Sequence, residues 1–492
     1  MNERRVRAMS EKKTALVEEM TRLLGKDAVL HRDADLITYE CDGLTVFRGM
    51  PLAVVFPATT EEVSDVVKWL YAREIPFIPR GAGTGLSGGA TPFGGEVIIS
   101  LVRMKQLLHV DYDNREAVVQ PGYINLQLTN SITHKGFYYA PDPSSQANCT
   151  IGGNVAENAG GAHCLKYGVT TNHVLGLEVV MHDGEIVELG GVPDAPGYDL
   201  LGILTGSEGM LGIVTSITVS ILKQPESKET ALAYFDSVED ASYVVSDIIA
   251  AGIVPAAIEM MDEIAIQGVE RATNPVGHPE GLKAVLIMEV DGIAAGIEDQ
   301  INEMVNVCEH HNVKEIKVAQ DDRERGKWWA NRKTAFGAMG AISPAYLVQD
   351  GVIPRSRLSE VLARIAEISA ESGLRIANVF HAGDGNLHPL ILFDARNEGE
   401  TDLALEVGTK TLEACTEVGG SITGEHGVGI EKKEDMRLVF TEEEIDRQLA
   451  VRDVFNPNNL MNPDKQFPKP ARCGEVKSAV GSGDAYQTVG QD

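Results

Sequence analysis

Residues 80–95 read Arg80-Gly-Ala-Gly-Thr-Gly-Leu-Ser-Gly-Gly-Ala-Thr-Pro-Phe-Gly-Gly95, between strand-like Ile75-Pro-Phe-Ile-Pro79 and Val97-Ile-Ile-Ser-Leu101. The spacing G-x-G-x-x-G falls at Gly83, Gly85 and Gly88. A dinucleotide fingerprint needs a helix to begin at that loop, so that its N-terminus meets the pyrophosphate. Here the loop runs into a strand, and the helix-based fold is excluded. What survives is a nest of successive backbone N–H groups that can hold a phosphate, with glycine wherever the main chain must touch the anion. Residues 141–161 and 206–215 read as two further loops of this character. Each alone is as readily a surface loop. The 50 glycines among 492 residues exceed the average of roughly 7% and cluster at 81–95, 152–168 and 202–212, which marks close approach of the backbone to another group.

A second constraint lies near the C-terminus, in His381-Ala-Gly-Asp-Gly-Asn-Leu-His388 and Gly424-Glu425-His426-Gly427. Apolar runs at 375–380 and 390–393 flank a turn of Gly, Asp and Asn, so the first motif predicts a β-hairpin with His381 and His388 at its mouth. Two imidazoles and the carboxylate of Glu425, with positions left for substrate, make the ligand set of a catalytic zinc or non-haem iron site. His426 is then free to act as a base. Two histidines satisfying hydrogen bonds at a hairpin mouth is the bland alternative, and four such groups in two glycine-framed motifs favour the metal.

The formal net charge of −29 argues against nucleic acid, whose phosphates would be repelled. No apolar run reaches the roughly 18–20 residues of a membrane span and the N-terminus has no signal-like core, so a cytoplasmic protein is expected. Cys41, Cys149, Cys164, Cys308, Cys415 and Cys473 show no Cys-x-x-Cys spacing, which indicates neither an iron–sulfur cluster nor a disulfide framework. Helical periodicity at 12–24 and 60–71 alternates with strand-like 53–56, 96–101 and 117–120, an α+β texture. Past Pro225, strand-like 231–235, helical 237–251, strand-like 284–290, helical 292–308 and strand-like 313–318 predict a β-α-β-α-β unit with antiparallel potential. A polar helix is expected to begin at 328–333, with further helices at 358–369 and 402–417.

The loop Arg80 to Gly89, the segments Pro141 to Pro143, Thr150 to Gly161 and Gly206 to Thr215, both histidine motifs, and Phe455-Asn-Pro-Asn-Asn-Leu-Met-Asn462-Pro-Asp-Lys-Gln466 together resemble the FAD-linked oxidases of the vanillyl-alcohol oxidase fold. Within them the chain is similar to the D-2-hydroxy-acid dehydrogenase branch and its glycolate oxidase flavin subunits, over residues 35–466. The pattern along the chain predicts an N-terminal helical segment (1–34), an antiparallel-sheet cap carrying the substrate and metal motifs (226–425) and, from Gly, Ser, Asp and Gln with few large apolar groups, a disordered tail (469–492). The resemblance implies an α+β fold with a two-lobed FAD-binding domain (35–225) to which residues 426–468 return. It also implies that Arg80, Gly81, Ala82, Gly83, Thr84, Gly85 and Ser87 bind the FAD pyrophosphate. Pro141, Asp142, Thr150, Gly153, Asn154, Glu208, Ile213 and Val214 would line the rest, with Asn462 reaching back from the C-terminus. Thr84 stands where relatives that attach FAD covalently often have a histidine, so non-covalent FAD is expected; thiol attachment at Cys149 or Cys164 is the alternative.

The implied reaction is oxidation of glycolate or D-lactate to the 2-oxo acid by hydride transfer to flavin N5. Arg332 would grip the substrate carboxylate, a divalent metal at His381, His388 and Glu425 would acidify the hydroxyl, and His426 would take its proton. Asn386 would hydrogen-bond substrate or orient a ligand. Zinc is the first expectation for the metal because it has no redox chemistry to compete with the flavin, ahead of manganese or iron. Electrons would leave through partner subunits, one of them iron–sulfur, toward quinone, which would make the protein peripheral to a membrane through its partners. A D-2-hydroxyglutarate dehydrogenase would look very similar, and a flavin-free metal hydrolase is the reading from another class.

Overall fold

The strand Phe77–Arg80 ends where the first glycine loop begins, at the edge of a four-stranded sheet ordered Val29–Leu30, Ala53–Val55, Val97–Ser100, Phe77–Arg80. Its last three strands run parallel and are almost wholly buried, as the run of valine and isoleucine requires. The computed structural model describes residues 3–191, 197–469 and 487–488. Helix Thr60–Tyr71 begins and ends where the periodicity predicts. The Thr59 hydroxyl caps it by accepting from Glu62 N, and Val63, Val66, Val67 and Leu70 bury a stripe spaced three and four apart. The N-terminal helix spans Glu3–Leu24, longer than the 12–24 expected.

A second sheet of five antiparallel strands runs in the order Ile186–Gly190, Val174–Val180, Ile213–Ser220, Glu116–Val119, Leu107–Asp111. Between the two sheets lie the glycine segments. Residues 141–161 depart from the expected loop, because Ile151–Glu157 is a helix. Gly152 and Gly153 disguise it by their poor propensity, while burial of Ile151 and Val155 in the core decides the outcome.

Residues 227–393 build a nine-stranded, antiparallel sheet covered on both faces. One face packs on helices Val238–Ala250, Ile297–Glu309 and Leu358–Ser372, the other on Glu263–Arg271 and Asp322–Lys333. The predicted β-α-β-α-β unit is present, but the sheet also holds the strand Ala257–Asp262 between Ala284–Gly292 and Arg375–His381, followed by helix Glu263–Arg271. Its sequence AIEMMD has methionines and a glutamate where β-branched residues would signal a strand. The helix expected to begin at 328–333 ends there instead, spanning Asp322–Lys333 and capped by Asp321.

The chain then returns to the first sheet, where Phe77 N donates to Leu460 O and Asn462 N donates to Phe77 O. The expected disordered tail lies outside the described residues, apart from Lys469 and the strand Gln487–Thr488 paired with Phe47–Arg48.

Candidate active site

All three glycine segments face one cavity. Arg80, Gly81, Ala82, Gly83, Thr84, Gly85, Thr150, Gly153, Asn154, Glu208, Ile213 and Val214 all line it. The main chain does most of the lining. A Cβ on Gly81 would fall 2.4 Å from Thr150 Oγ1, so the first loop and the second segment touch only because residue 81 has no side chain. Gly83 has φ +72° and lies against the Arg80 guanidinium. That guanidinium donates to the Cys41 and Ala90 carbonyls, so Arg80 shapes the loop and leaves the amides to face a ligand.

Four expected cofactor residues stand behind the lining. The Pro141 carbonyl accepts from Asn125. Asp142 is held well below the usual carboxylate range, because His163 and Lys333 outweigh the burial that pushes it up, and it joins this lobe to the helix Asp322–Lys333. The Ser87 carbonyl accepts from Ile430 N and Glu431 N. Asn462 Nδ2 donates to the Gly89 and Glu208 carbonyls, tying the first and third glycine segments together.

Glu425 and His426 also line the cavity, and through them it adjoins the imidazoles. Glu425 Oε1 lies 3.0 Å from both His381 Nε2 and His388 Nε2. The hairpin aims these rings there: His381 pairs with Asn386 across its mouth and His388 follows the strand Asn386–Leu387. A backbone carbonyl only accepts, so at 3.3 Å from Gln349 O the His388 Nδ1 is the donor and its Nε2 faces Glu425. Burial lowers the proton affinity of His381, but Glu259 and Glu425 outweigh it and hold the ring well above its usual value. Burial pushes Glu425 up, but His381 and His388 outweigh it and hold this carboxylate well below its usual value. His426 stacks on His388 at 4.8 Å between ring centroids. Burial drops it to about 4, so this ring is neutral. Asn386 packs its amide against Gly424.

Two groups among the described residues have ligand spacing: His381 with His388 and Glu425, and Asp350 with His388 and His426. The first fits a metal better. Asp350 Oδ2 already accepts from Thr423 Oγ1 and from the N–H groups of Gly424, Glu425 and His426, at 2.5 to 3.1 Å, and Lys432 Nζ lies 3.9 Å away. That oxygen is saturated, and the carboxylate serves as the anchor of the Gly424–Gly427 turn.

Arg332 is buried rather than solvated, with Nη2 2.5 Å from Glu259 Oε2. Its Nε makes no hydrogen bond among the described residues and Nη2 has this ion pair, so Nε is the donor left for a ligand. Glu259 Oε1 meets His381 Nδ1 at 2.7 Å. Sequence reasoning missed both Glu259 and Asp350. A lone glutamate inside the apolar run 257–261 was a usable signal for the first; Asp350, in Val-Gln-Asp-Gly, carried none.

Comparison with known proteins places these features in a family. The FAD binding domain family matches residues 51–190, and the C-terminal domain family of FAD linked oxidases matches residues 224–466. The chain is 48% identical to glycolate oxidase subunit GlcD of Escherichia coli K12, over 91% of this chain and 90% of that one. It is 33% identical to a D-lactate dehydrogenase of Anaerostipes hadrus (85% and 90%) and 32% identical to a D-2-hydroxyglutarate dehydrogenase of Stutzerimonas stutzeri (92% and 99%). The fold matches 4-ethylphenol oxidase from Gulosibacter chungangensis with a TM-score of 0.78, at 17% identity, over 94% of this chain and 98% of that one. The chain belongs to the FAD-linked 2-hydroxy-acid oxidases and dehydrogenases, the family of those glycolate oxidase subunits.

Proposed function

We propose that the chain oxidises a small D-2-hydroxy acid, glycolate or D-lactate, to its 2-oxo acid, with non-covalent FAD in the glycine-walled cavity and a divalent metal at His381, His388 and Glu425. The observation that carries this reading is that Glu425 and His426 belong at once to the cavity wall and to the imidazole cluster. Two imidazole nitrogens 3.0 Å from one carboxylate oxygen, in buried surroundings, form a donor set that a cation completes, and zinc comes ahead of manganese or iron because it has no redox chemistry to compete with the flavin.

Arg332 receives the substrate carboxylate on its guanidinium, whose Nε has no hydrogen bond among the described residues and whose planar fork matches a carboxylate's two oxygens better than an ammonium does. His426, neutral and with Nδ1 unpartnered among the described residues, takes the hydroxyl proton while the C–H hydrogen departs with its electron pair. A base this weak requires an acidified hydroxyl. When bound, the metal supplies that Lewis acidity and FAD supplies the hydride acceptor. Asn386, between hairpin and turn, orients substrate or a ligand. Ser87, Pro141, Asp142 and Asn462 act by holding the cavity wall in place.

Electrons then leave through a partner subunit bearing an iron–sulfur cluster toward a quinone, and membrane association runs through that partner. The word subunit in the name of the 48%-identical relative supports this. No described helix is long and apolar enough to cross a membrane.

The test is turnover of a panel of D- and L-2-hydroxy acids with a dye acceptor, on protein whose FAD and metal content are measured together. Glycolate and D-lactate should be oxidised, D-2-hydroxyglutarate poorly, and turnover should fall on chelation and return with zinc. Turnover confined to L-acids, or unaffected by complete metal removal, overturns the reading.

A further inference from the structure

Glu259 stands directly opposite His381 in the register of the antiparallel strands Ala257–Asp262 and Arg375–His381. Its side chain is 1% exposed, and its two oxygens serve different partners: Oε1 meets His381 Nδ1 at 2.7 Å, Oε2 meets Arg332 Nη2 at 2.5 Å. A buried carboxylate would ordinarily be costly, and the two cationic or donor groups on either side balance it. Arg332 comes from the end of the helix Asp322–Lys333, which packs on the opposite face of the sheet from helix Leu358–Ser372, so strand pairing and helix packing converge on this one side chain.

We propose that Glu259 is the positioning residue for both functional groups of the cap, and this rests on the reading of His381 as a metal ligand and Arg332 as the carboxylate anchor. Accepting from Nδ1–H, it fixes the tautomer and ring orientation that leave His381 Nε2 as a lone pair for the metal. With its other oxygen it holds Nη2, which sets the direction of the guanidinium and leaves Nε to the substrate. Metal affinity and substrate binding are thereby set by one residue that touches neither. A carboxylate that merely neutralised Arg332 would influence stability and leave metal affinity alone.

The experiment uses the full-length flavoprotein, stripped of metal and retitrated with zinc against a chromophoric chelator. Glu259→Gln keeps the shape but turns an amide toward Arg332 and weakens the acceptor for His381. Zinc affinity should fall about 10- to 100-fold with FAD content unchanged. At saturating zinc, KM for glycolate should rise by a larger factor than kcat falls, the signature of a displaced anchor. Wild-type zinc affinity in this variant overturns the proposal, and weaker zinc with unchanged KM overturns the double role. Should the glutamine variant fail to retain FAD, Glu259→Asp keeps the charge on an arm one methylene shorter, which cannot span both partners. Its zinc affinity should be reduced as well, and an unreduced value also overturns the proposal. If wild-type protein itself takes up no zinc, the ligand assignment falls and this inference with it, an outcome distinct from a failure confined to the variants.

Discussion

The wall formed by residues 80–90 and 206–214 is built largely of main chain, whereas the cluster of Arg332, His381, His388, Glu425 and His426, with Glu259 behind it, is built of side chains. The first is held by what its side chains do away from the cavity: Arg80 donates to two carbonyls behind the loop, and Asn462 ties that loop to the third glycine segment. The second is held by charges balancing one another in a buried cluster. The difference teaches where tolerance should lie. A main-chain wall is sensitive to added bulk and indifferent to charge; a side-chain wall is the reverse.

The sharpest way to separate the two walls is His381→Ala or His388→Ala. Either should abolish metal binding and turnover while FAD remains bound, checked by elemental analysis and flavin absorbance on the same sample. Loss of FAD in step with the metal would mean that the walls are not independent.

His426→Asn comes next. General-base loss typically costs about 10² to 10⁴ in rate, so kcat should collapse with FAD and metal retained. Near-wild-type flavin reduction by glycolate or D-lactate would move the base elsewhere in the cluster.

Asp350→Ala removes the acceptor shared by Thr423, Gly424, Glu425 and His426, together with a counter-charge of the fully buried Lys432. Breaking a buried pair costs about 3–5 kcal/mol, which denaturant unfolding would read. A loss below about 1 kcal/mol would show that the turn holds itself.

Arg332→Lys keeps the charge and loses the fork. KM for the hydroxy acid should rise about tenfold, close to 1.4 kcal/mol, and an unchanged KM would return Arg332 to a structural role.

The smallest effect is expected on the main-chain wall. Gly81→Ala should lower FAD occupancy through the contact with Thr150 Oγ1, and adding Thr150→Ala should restore part of it. If the double variant binds FAD no better than the single one, the close approach is not what demands glycine there.

The sequence by itself determined the pieces that are contiguous along the chain. Glycine runs that no helix follows, and histidines spaced across a hairpin turn, are local demands on backbone geometry, and their order along the chain matched one family. Even locally, packing overrode composition at Ile151–Glu157, where buried Ile151 and Val155 make a helix out of glycine-rich sequence. The tertiary structure alone decided which residues stand behind the walls. Asp142 looks like a ligand residue in a motif, yet its carboxylate is spent on His163 and Lys333, and the Asn462 amide nitrogen ties two distant segments together. Glu259 meets His381 only because two strands more than a hundred residues apart pair in one register, and a slip of a single residue would turn its side chain to the other face of the sheet. Such long-range register is set by the burial of whole sheet faces, and no short run of residues carries it.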